Sequence, residues 1–552
     1  MKRNWFAKFA TSLVCLAMLV GCGGGGNSES GSGTKAVTVN LGTEPPEMLS
    51  FMTTDSTSGN VLRHTMETLI TLDGNDEPIP GVAKEVPTKE NGGISEDGLT
   101  ITFNLNPEAK WQDGTQVKAS DFEYAWDQLF NVENGAGYAT TWAPLIVGAQ
   151  DIYDAKNDAE REAALAKKGY KADDEAGTFT VQLTKPYAYF VSLMSFYSFA
   201  PLNKDAYEKA GGVTKYGTDM DKFLGNGPYK FKEWNHEDSI VLEKNENYWN
   251  KDEIKIDQIT FRMISDTNTA LNEFENGSID MIGLTGEQAS NLKDQGKDVQ
   301  TYVDGGSWYF LFNTTQKPYD NAKVRRALTL GVDAEGYIEN IRKDASKVAT
   351  AFTTEAVSKG EFTESLGNLY PRSTDYTEAK KLLEEGLAEE GMKLEDFTLT
   401  LLGDEGDDAQ RMYAYFQEEW QKNLGITVKV DQVTFKTRIE RMNTQDFDIV
   451  FAGWSPDYND PKSYLEIVQS DNGNNNGKYS NKEYDALLEK ADSETDTTKR
   501  TEYLKQAEEL FAEECPVGPV FHRATSYICS DRLVGIQRTA YKQIDLRFAD
   551  VK

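Results

Sequence analysis

The feature that most constrains this fold is a repeated order of helix, glycine and apolar strand. From Met412 to Leu424 the pattern is helical, with Phe416 and Trp420 one turn apart. Gly425 can then take the left-handed C-cap, and Ile426, Val428 and Val430 alternate with polar residues. Phe447 to Gly453 (FDIVFAG) follows as a near-continuous apolar run, which suits a strand in a sheet covered on both faces. Earlier, Ala270, Leu271 and Phe274 have helical spacing, Asn276-Gly277 stops the helix, and Ile279 to Ile282 reads as a buried strand. Such alternation marks an α/β protein.

The 552 residues suffice for two to four folded units. A composition of 39% hydrophobic and 11% aromatic residues argues against a disordered chain. Ala36 to Leu41, Leu99 to Leu105 and Thr178 to Leu183 alternate as strands, and Asp113-Gly114 marks a turn. Ala119-Ser120-Asp121 offers an N-cap to a helix whose inner face carries Phe122, Ala125, Trp126 and Leu129. The polar, Ala-rich stretch from Asp154 to Glu175 is expected as a surface helix. No short tandem repeat or long Pro-rich linker interrupts the body.

The first residues differ in character. Lys2, Arg3 and Lys8 precede the apolar run Phe9 to Val20, which is too short to span a bilayer and describes an export signal. Its ending, Leu19-Val20-Gly21-Cys22, resembles the lipobox of bacterial lipoproteins, which implies cleavage after residue 21 and a lipid on Cys22; the alternative is a plain signal with a chance cysteine. Residues 22–33 then form a Gly/Ser-rich tether that would hold a domain off a membrane. No later run of about 18 apolar residues suggests a further span. With 58 basic against 90 acidic residues, the net charge of -32 repels phosphate backbones, so no nucleic-acid partner is expected.

Chemistry-bearing motifs are few. Cys515 and Cys529 are left in the exported body, where a bridge and two free thiols are both open. Three scattered histidines (His64, His236, His522) and the absence of CxxC leave little for a metal site, and none is expected. Asp471 to Gly477 (DNGNNNG) is superficially a calcium loop, but Gly473, Asn476 and Lys482 occupy positions that need a ligand, a turn glycine and a bidentate Glu. No GxxxxGK[ST] or GxSxG occurs. We expect no enzyme and no cofactor.

Gly98 to Phe130 (GLTITFNLNPEAKWQDGTQVKASDFEYAWDQLF) resembles the signature segment of the peptide/nickel class of extracytoplasmic solute-binding proteins, which serve ABC importers. Further matches follow in that class's order: Asn226 to Tyr229, Asn247 to Trp249, the Phe274–Ile279 turn, Tyr309 to Asn313, Val324 to Leu328, and Gly453 to Tyr458. The resemblance implies an α/β, two-lobed periplasmic-binding-protein-like clamp with three structural domains and a hinge. By that analogy domain I is discontinuous, 34–62 with 203–287 and 520–552; domain II is 63–202 and domain III is 288–519.

Gly453 to Pro461 (GWSPDYNDP) is similar to the form found in oligopeptide binders, where the Asp matching Asp457 accepts the ammonium of the peptide N-terminus. The resemblance also assigns ligand contacts to Thr43 and Glu44 after the first strand, to Gly453, Trp454 and Ser455, and to Tyr138. For Trp454 and Tyr138 core packing is the alternative; for Trp308 and Tyr309 packing is the better reading. Two departures stand out. Glu44 to Ser50 replaces the family's Leu-Asp-Pro-like turn, and Phe451 stands where the family has an Arg, removing one cation that could grip a short peptide's carboxylate. The expected protein is a monomeric lipoprotein on the extracytoplasmic face of the cell membrane that captures oligopeptides and hands them to ABC transporter permease subunits. The alternatives are another solute on the same scaffold (a dipeptide, nickel chelate, opine or sugar) or a pheromone-peptide sensor.

Overall fold

A computed structural model describes residues 34–552 except 188 and 495, and for Asp407 and Asp408 the backbone alone. The export signal, Cys22 and the tether expected from the sequence lie outside the described residues. Among the described residues no helix is long and apolar enough to cross a membrane.

One large mixed sheet organises the chain. Its principal strands are β1 (Ala36–Asn40), β2 (Tyr229–Asn235), β3 (Ser239–Lys244), β4 (Gln258–Arg262), β5 (Met281–Leu284), β6 (Val299–Phe312), β7 (Thr398–Asp404), β8 (Thr427–Val433), β9 (Ile449–Trp454) and β10 (Val517–Cys529). They lie in the order β8-β7-β9-β6-β10-β5-β1-β4-β3-β2, and Lys347–Val348 adds a short pairing on β10. β1 runs parallel to both β4 and β5, and β7 runs parallel to β8 and β9. β10 is antiparallel to both its neighbours.

β6 and β10 are the long strands, 14 and 13 residues, and they pass from one half of the sheet to the other. β6 meets β9 only from Ser307 onward, while β10 meets β5 only from Ser526 onward. Between these stretches the β6–β10 register breaks from Val303 to Ser307, at Asp304-Gly305-Gly306. A bulge of this kind bends a strand and sharpens its twist.

The apolar run at β9 has a direct cause. Ile449 and Phe451 enter a core on one face of the sheet with Phe310, Phe312, Phe416 and Trp420. Val450 and Ala452 enter a second core on the other face with Tyr309, Leu311 and Phe352. Each face is covered, so neither parity of the strand can be polar. A third and larger core gathers apolar residues from 37 to 281, takes in Tyr458 from the loop after β9, and receives the later part of the chain through Leu533, Ile544, Leu546 and Ala549.

Four helices support the cavity or the cores beneath it: α1 (Ser56–Thr65), α2 (Ala119–Leu129), α3 (Asp407–Leu424) and α4 (Phe435–Asn443). α2 buries the expected Phe122, Ala125, Trp126 and Leu129. Its cap differs from the expected one. Lys118 is the cap residue, and Asp121 reaches back to accept its backbone N–H at 2.9 Å. α3 ends as expected at Gly425, whose φ of 75° is left-handed. The stretch Asp154–Glu175 is only partly helical. Asp158–Leu165 forms a helix, but Tyr170 to Asp173 joins a separate three-stranded sheet, because burying Tyr170 against Trp126 outweighs the local polarity. Cys515 and Cys529 are both free thiols; Cys515 is buried with its sulfur 3.3 Å from Thr329 Oγ1.

Candidate functional site

β9 ends on Trp454, and the loop beyond it closes on itself. The Trp454 indole donates to the Ser463 carbonyl at 2.8 Å, and the Asp457 backbone N–H donates to Ser463 Oγ at 2.7 Å. This places Asp457 in the wall of a cavity of about 390 Å3, within the range of small-ligand sites. Its carboxylate accepts a hydrogen bond from the Tyr138 hydroxyl at 2.8 Å. Enclosure pushes the Asp457 carboxyl well above the ordinary range; the Tyr138 bond opposes this, and the negative charge of Glu466 adds to it.

Tyr138 is held by its neighbours. Its ring stacks on Trp142 at 5.3 Å with 8° between the planes, and Phe196 packs edge-on at 5.0 Å. Tyr138 belongs to the core formed by the first part of the chain, whereas Asp457 follows a strand of the other half. The same two parts meet again nearby. Asn472 donates to Thr141 Oγ1 at 2.9 Å, and the Gly473 N–H donates to Thr140 Oγ1 at 2.6 Å. A Cβ on Gly473 would lie 2.1 Å from the Gly137 carbonyl oxygen, so the approach requires glycine there. The asparagine-rich run that superficially suits calcium thus serves as a contact between the two parts.

Tyr138, Gly453, Trp454, Ser455 and Asp457 all line this one cavity. Thr43 and Glu44 do not. The Glu44 carboxylate is taken by the β2–β3 turn, accepting from Trp234 Nε1 and His236 Nδ1 at 2.9 Å and from the Glu237 N–H at 2.7 Å. On the first part's side the wall instead includes Asp55, which caps α1 by accepting from the Ser58 N–H at 2.8 Å. An Asp ahead of Ser-Thr-Ser and an apolar turn is a readable cap signal, but nothing local says that it faces a cavity. Trp308 and Tyr309 also reach the lining, although both pack mainly on aromatic neighbours. Phe451 points into the core, ringed by Phe310, Phe416 and Trp308.

Three arginines absent from the sequence expectation reach the cavity: Arg63 on α1, Arg438 on α4 and Arg523 on β10. Arg438 pairs with Asp404 at 2.7 Å, and Arg523 with Asp304, beside the register break, at 2.5 Å. An enclosed chamber with polar walls drawn from two bodies suits a ligand that bonds to both at once.

A family model described as "Bacterial extracellular solute-binding proteins, family 5 Middle" matches residues 77–476. The oligopeptide-binding protein OppA of Bacillus subtilis (strain 168) is 34% identical over 550 residues, covering 97% of each chain. The solved structure of Listeria monocytogenes OppA bound to peptide superposes with a TM-score of 0.85 at 29% identity, covering 94% of this chain and 99% of that one. The unliganded open form of the murein tripeptide-binding protein MppA reaches a TM-score of only 0.59 at 26% identity, covering 94% and 97%. The arrangement bridged by Tyr138 and Asp457 is therefore closer to a ligand-bound relative than to an open one. The fold is the two-lobed α/β clamp of periplasmic binding proteins. By sequence and by fold alike, this chain belongs to the bacterial extracellular solute-binding proteins, family 5.

Proposed function

We propose that the protein captures oligopeptides outside the cytoplasm by closing its two lobes, and delivers them to the permease subunits of an ABC importer. The observation that carries this reading is Asp457. It is a carboxylate in an enclosed chamber, without a cationic partner among the described residues, and so prepared for an incoming ammonium. The likeness to proteins named for oligopeptide binding, one of them solved with peptide, supports the same class of ligand. Closure is favoured because the closed form makes contacts with ligand on both walls.

The ligand-binding set in this reading is Asp457, Tyr138, Gly453, Trp454 and Ser455, with Asp55 replacing Thr43 and Glu44 on the facing wall. The protein acts as a monomer held to the membrane by a lipid on Cys22. Three domains divide the chain: 34–62 with 203–287 and 520–552, then 63–202, then 288–519. The separate three-stranded sheet within 63–202 and the core confined to 309–517 support that division.

The test is to denature the purified body from Thr34 onward, identify what it releases by mass spectrometry, and compare peptides on Asp457→Ala. A ladder of mixed peptides is expected, with D457A losing affinity for free-amine peptides far more than for N-acetylated ones. Release of a single non-peptide species, or equal losses for both peptide forms, overturns the reading.

A further inference from the structure

A second hollow lies between the two lobes, outside the chamber. It is a cleft of about 780 Å3, open to solvent. One wall is drawn from residues 350–367, including Ala356, whose neighbours Phe352, Val357 and Phe362 belong to the core around β9. The other wall is Asp76 with the turn Thr539-Ala540-Tyr541, next to Ile544 of the largest core. Val303, the last paired residue of β6 before its register break, also lines the cleft.

Chamber and cleft share a boundary. Ala540 and Tyr541 line both. Gly305 sits at the same place: a Cβ on it would lie 2.7 Å from Pro456 Cδ on the Asp457 loop and 3.1 Å from the Cβ atoms of Ala356 and Ala540. The strand that joins the lobes therefore bends where the two hollows meet. About that point the lobes are tied unequally. On the chamber side Tyr138–Asp457, Asn472–Thr141 and Gly473–Thr140 are bonded at 2.8, 2.9 and 2.6 Å. Across the cleft the Tyr541 hydroxyl reaches the Ala356 carbonyl only at 3.4 Å, longer than an ordinary O–H···O bond. Val303 is left 41% exposed; Val132 and Met220, the other large apolar residues so uncovered, line neither hollow.

We propose that the cleft is the counterpart of the chamber: the lobes turn about the break at 304–306, the cleft narrows as the chamber opens, and the covering of Val303 between Ala356 and Ala540-Tyr541 holds the ligand-free protein open. Capture must then uncover this surface again. The side chain at 303 thereby sets the fraction of molecules that rest closed, and with it the affinity for ligand, without touching the ligand. A wide cleft beside a tightly bonded chamber is the closed end of this opposed motion. The inference needs two moving lobes and holds for any ligand that both lobes enclose.

The experiment compares the full soluble body with its Val303→Thr and Val303→Glu variants, by small-angle scattering without ligand and by calorimetric titration with pentaalanine. Val303→Thr keeps the branched shape and exchanges one methyl for a hydroxyl, so the open form loses part of its apolar cover. Its affinity is expected to tighten by about two- to fivefold. Val303→Glu would have to bury a carboxylate on opening, and a tightening of about tenfold or more is expected. Both variants should show a smaller ligand-free radius of gyration than wild type, and all three should converge with excess peptide. Unchanged radius and affinity in both variants, or a shift of either towards the open form, overturns the proposal. If pentaalanine fails to bind wild type, the peptide reading loses its support, while the ligand-free radii still decide the role of Val303.

Discussion

Tyr138 donates a hydrogen bond from its hydroxyl to Asp457 across 2.8 Å, joining residues 319 positions apart in sequence and two parts of the molecule. Because the bond favours the ionised form of a carboxyl that enclosure otherwise pushes towards its neutral form, it prepares the acceptor as well as the closed shape. Tyr138→Phe keeps the stacking on Trp142 and removes only this bond. Affinity for a free-amine peptide is expected to fall about tenfold or more, with N-acetylated peptides much less affected. Parallel titrations of the two peptide forms check this.

The raised Asp457 carboxyl gives binding a proton cost. An ammonium needs the carboxylate, so where the unliganded group is protonated, capture must release a proton. Affinity for free-amine peptides is therefore expected to rise with pH through the acid range, by up to about tenfold per unit. The rise ends once Asp457 is ionised before binding, and affinity declines as the peptide amine loses its own proton near pH ~8. Titrations in buffers of differing ionisation enthalpy count the proton directly. Asp457→Asn should flatten the dependence.

Gly305 lies in the register break of β6 with φ 71°, and a Cβ there would approach Pro456 Cδ to 2.7 Å. The substitution Gly305→Ala combines a left-handed backbone penalty of about 1–2 kcal/mol with a contact against the Asp457 loop. About tenfold weaker peptide binding is expected, and small-angle scattering with excess peptide should show a larger radius of gyration than wild type. Unchanged affinity and radius would show that the break tolerates a side chain.

His64 is buried, with Nδ1 donating to the Asn60 carbonyl at 2.7 Å and Nε2 accepting from the Leu546 N–H at 3.1 Å. Burial pulls it down to about 4, and His522 is likewise near 4. Since the unfolded chain takes up these protons first, stability falls as pH drops from about 6.5 towards 4, on the order of 3 kcal/mol per histidine. Glu67, pushed up to about 7 by burial, acts in the opposite sense: its folded form is favoured below pH ~4.5, and that advantage disappears as pH rises through 7. Thermal melts of His64→Asn across pH 4 to 7 should show a lower midpoint at neutral pH and a shallower acid decline.

The parts of this design written locally were readable. The two-faced burial of β9, the left-handed stop at Gly425 and the inner face of α2 each follow from residues a few positions apart. Asp457 stood out only through its motif, since a lone acid beside Pro and Tyr carries no sign that a tyrosine from the other lobe will meet it. Arg63 left no trace, because a basic residue in the last turn of a helix is what the helix dipole favours anyway. Glu44 misled in the opposite way. Its place at the end of β1 suggests the cavity, but a hairpin closing on it from Trp234 to Glu237 takes the carboxylate.

The position of β10 has a consequence for how the chain must mature. It is the last of the ten principal strands in sequence, yet it lies at the centre, between β6 and β5, and these two have no other pairing in common. Until β10 inserts, the ladder exists as two unconnected pieces, and the largest core still awaits Leu533, Ile544, Leu546 and Ala549. A polypeptide emerging N-terminus first, from a ribosome or through a translocation pore, cannot complete this sheet and core until residues 517–549 are free. The topology thus postpones final assembly to the far side of any membrane the chain must thread, where an unfolded chain is no longer needed and a finished receptor is.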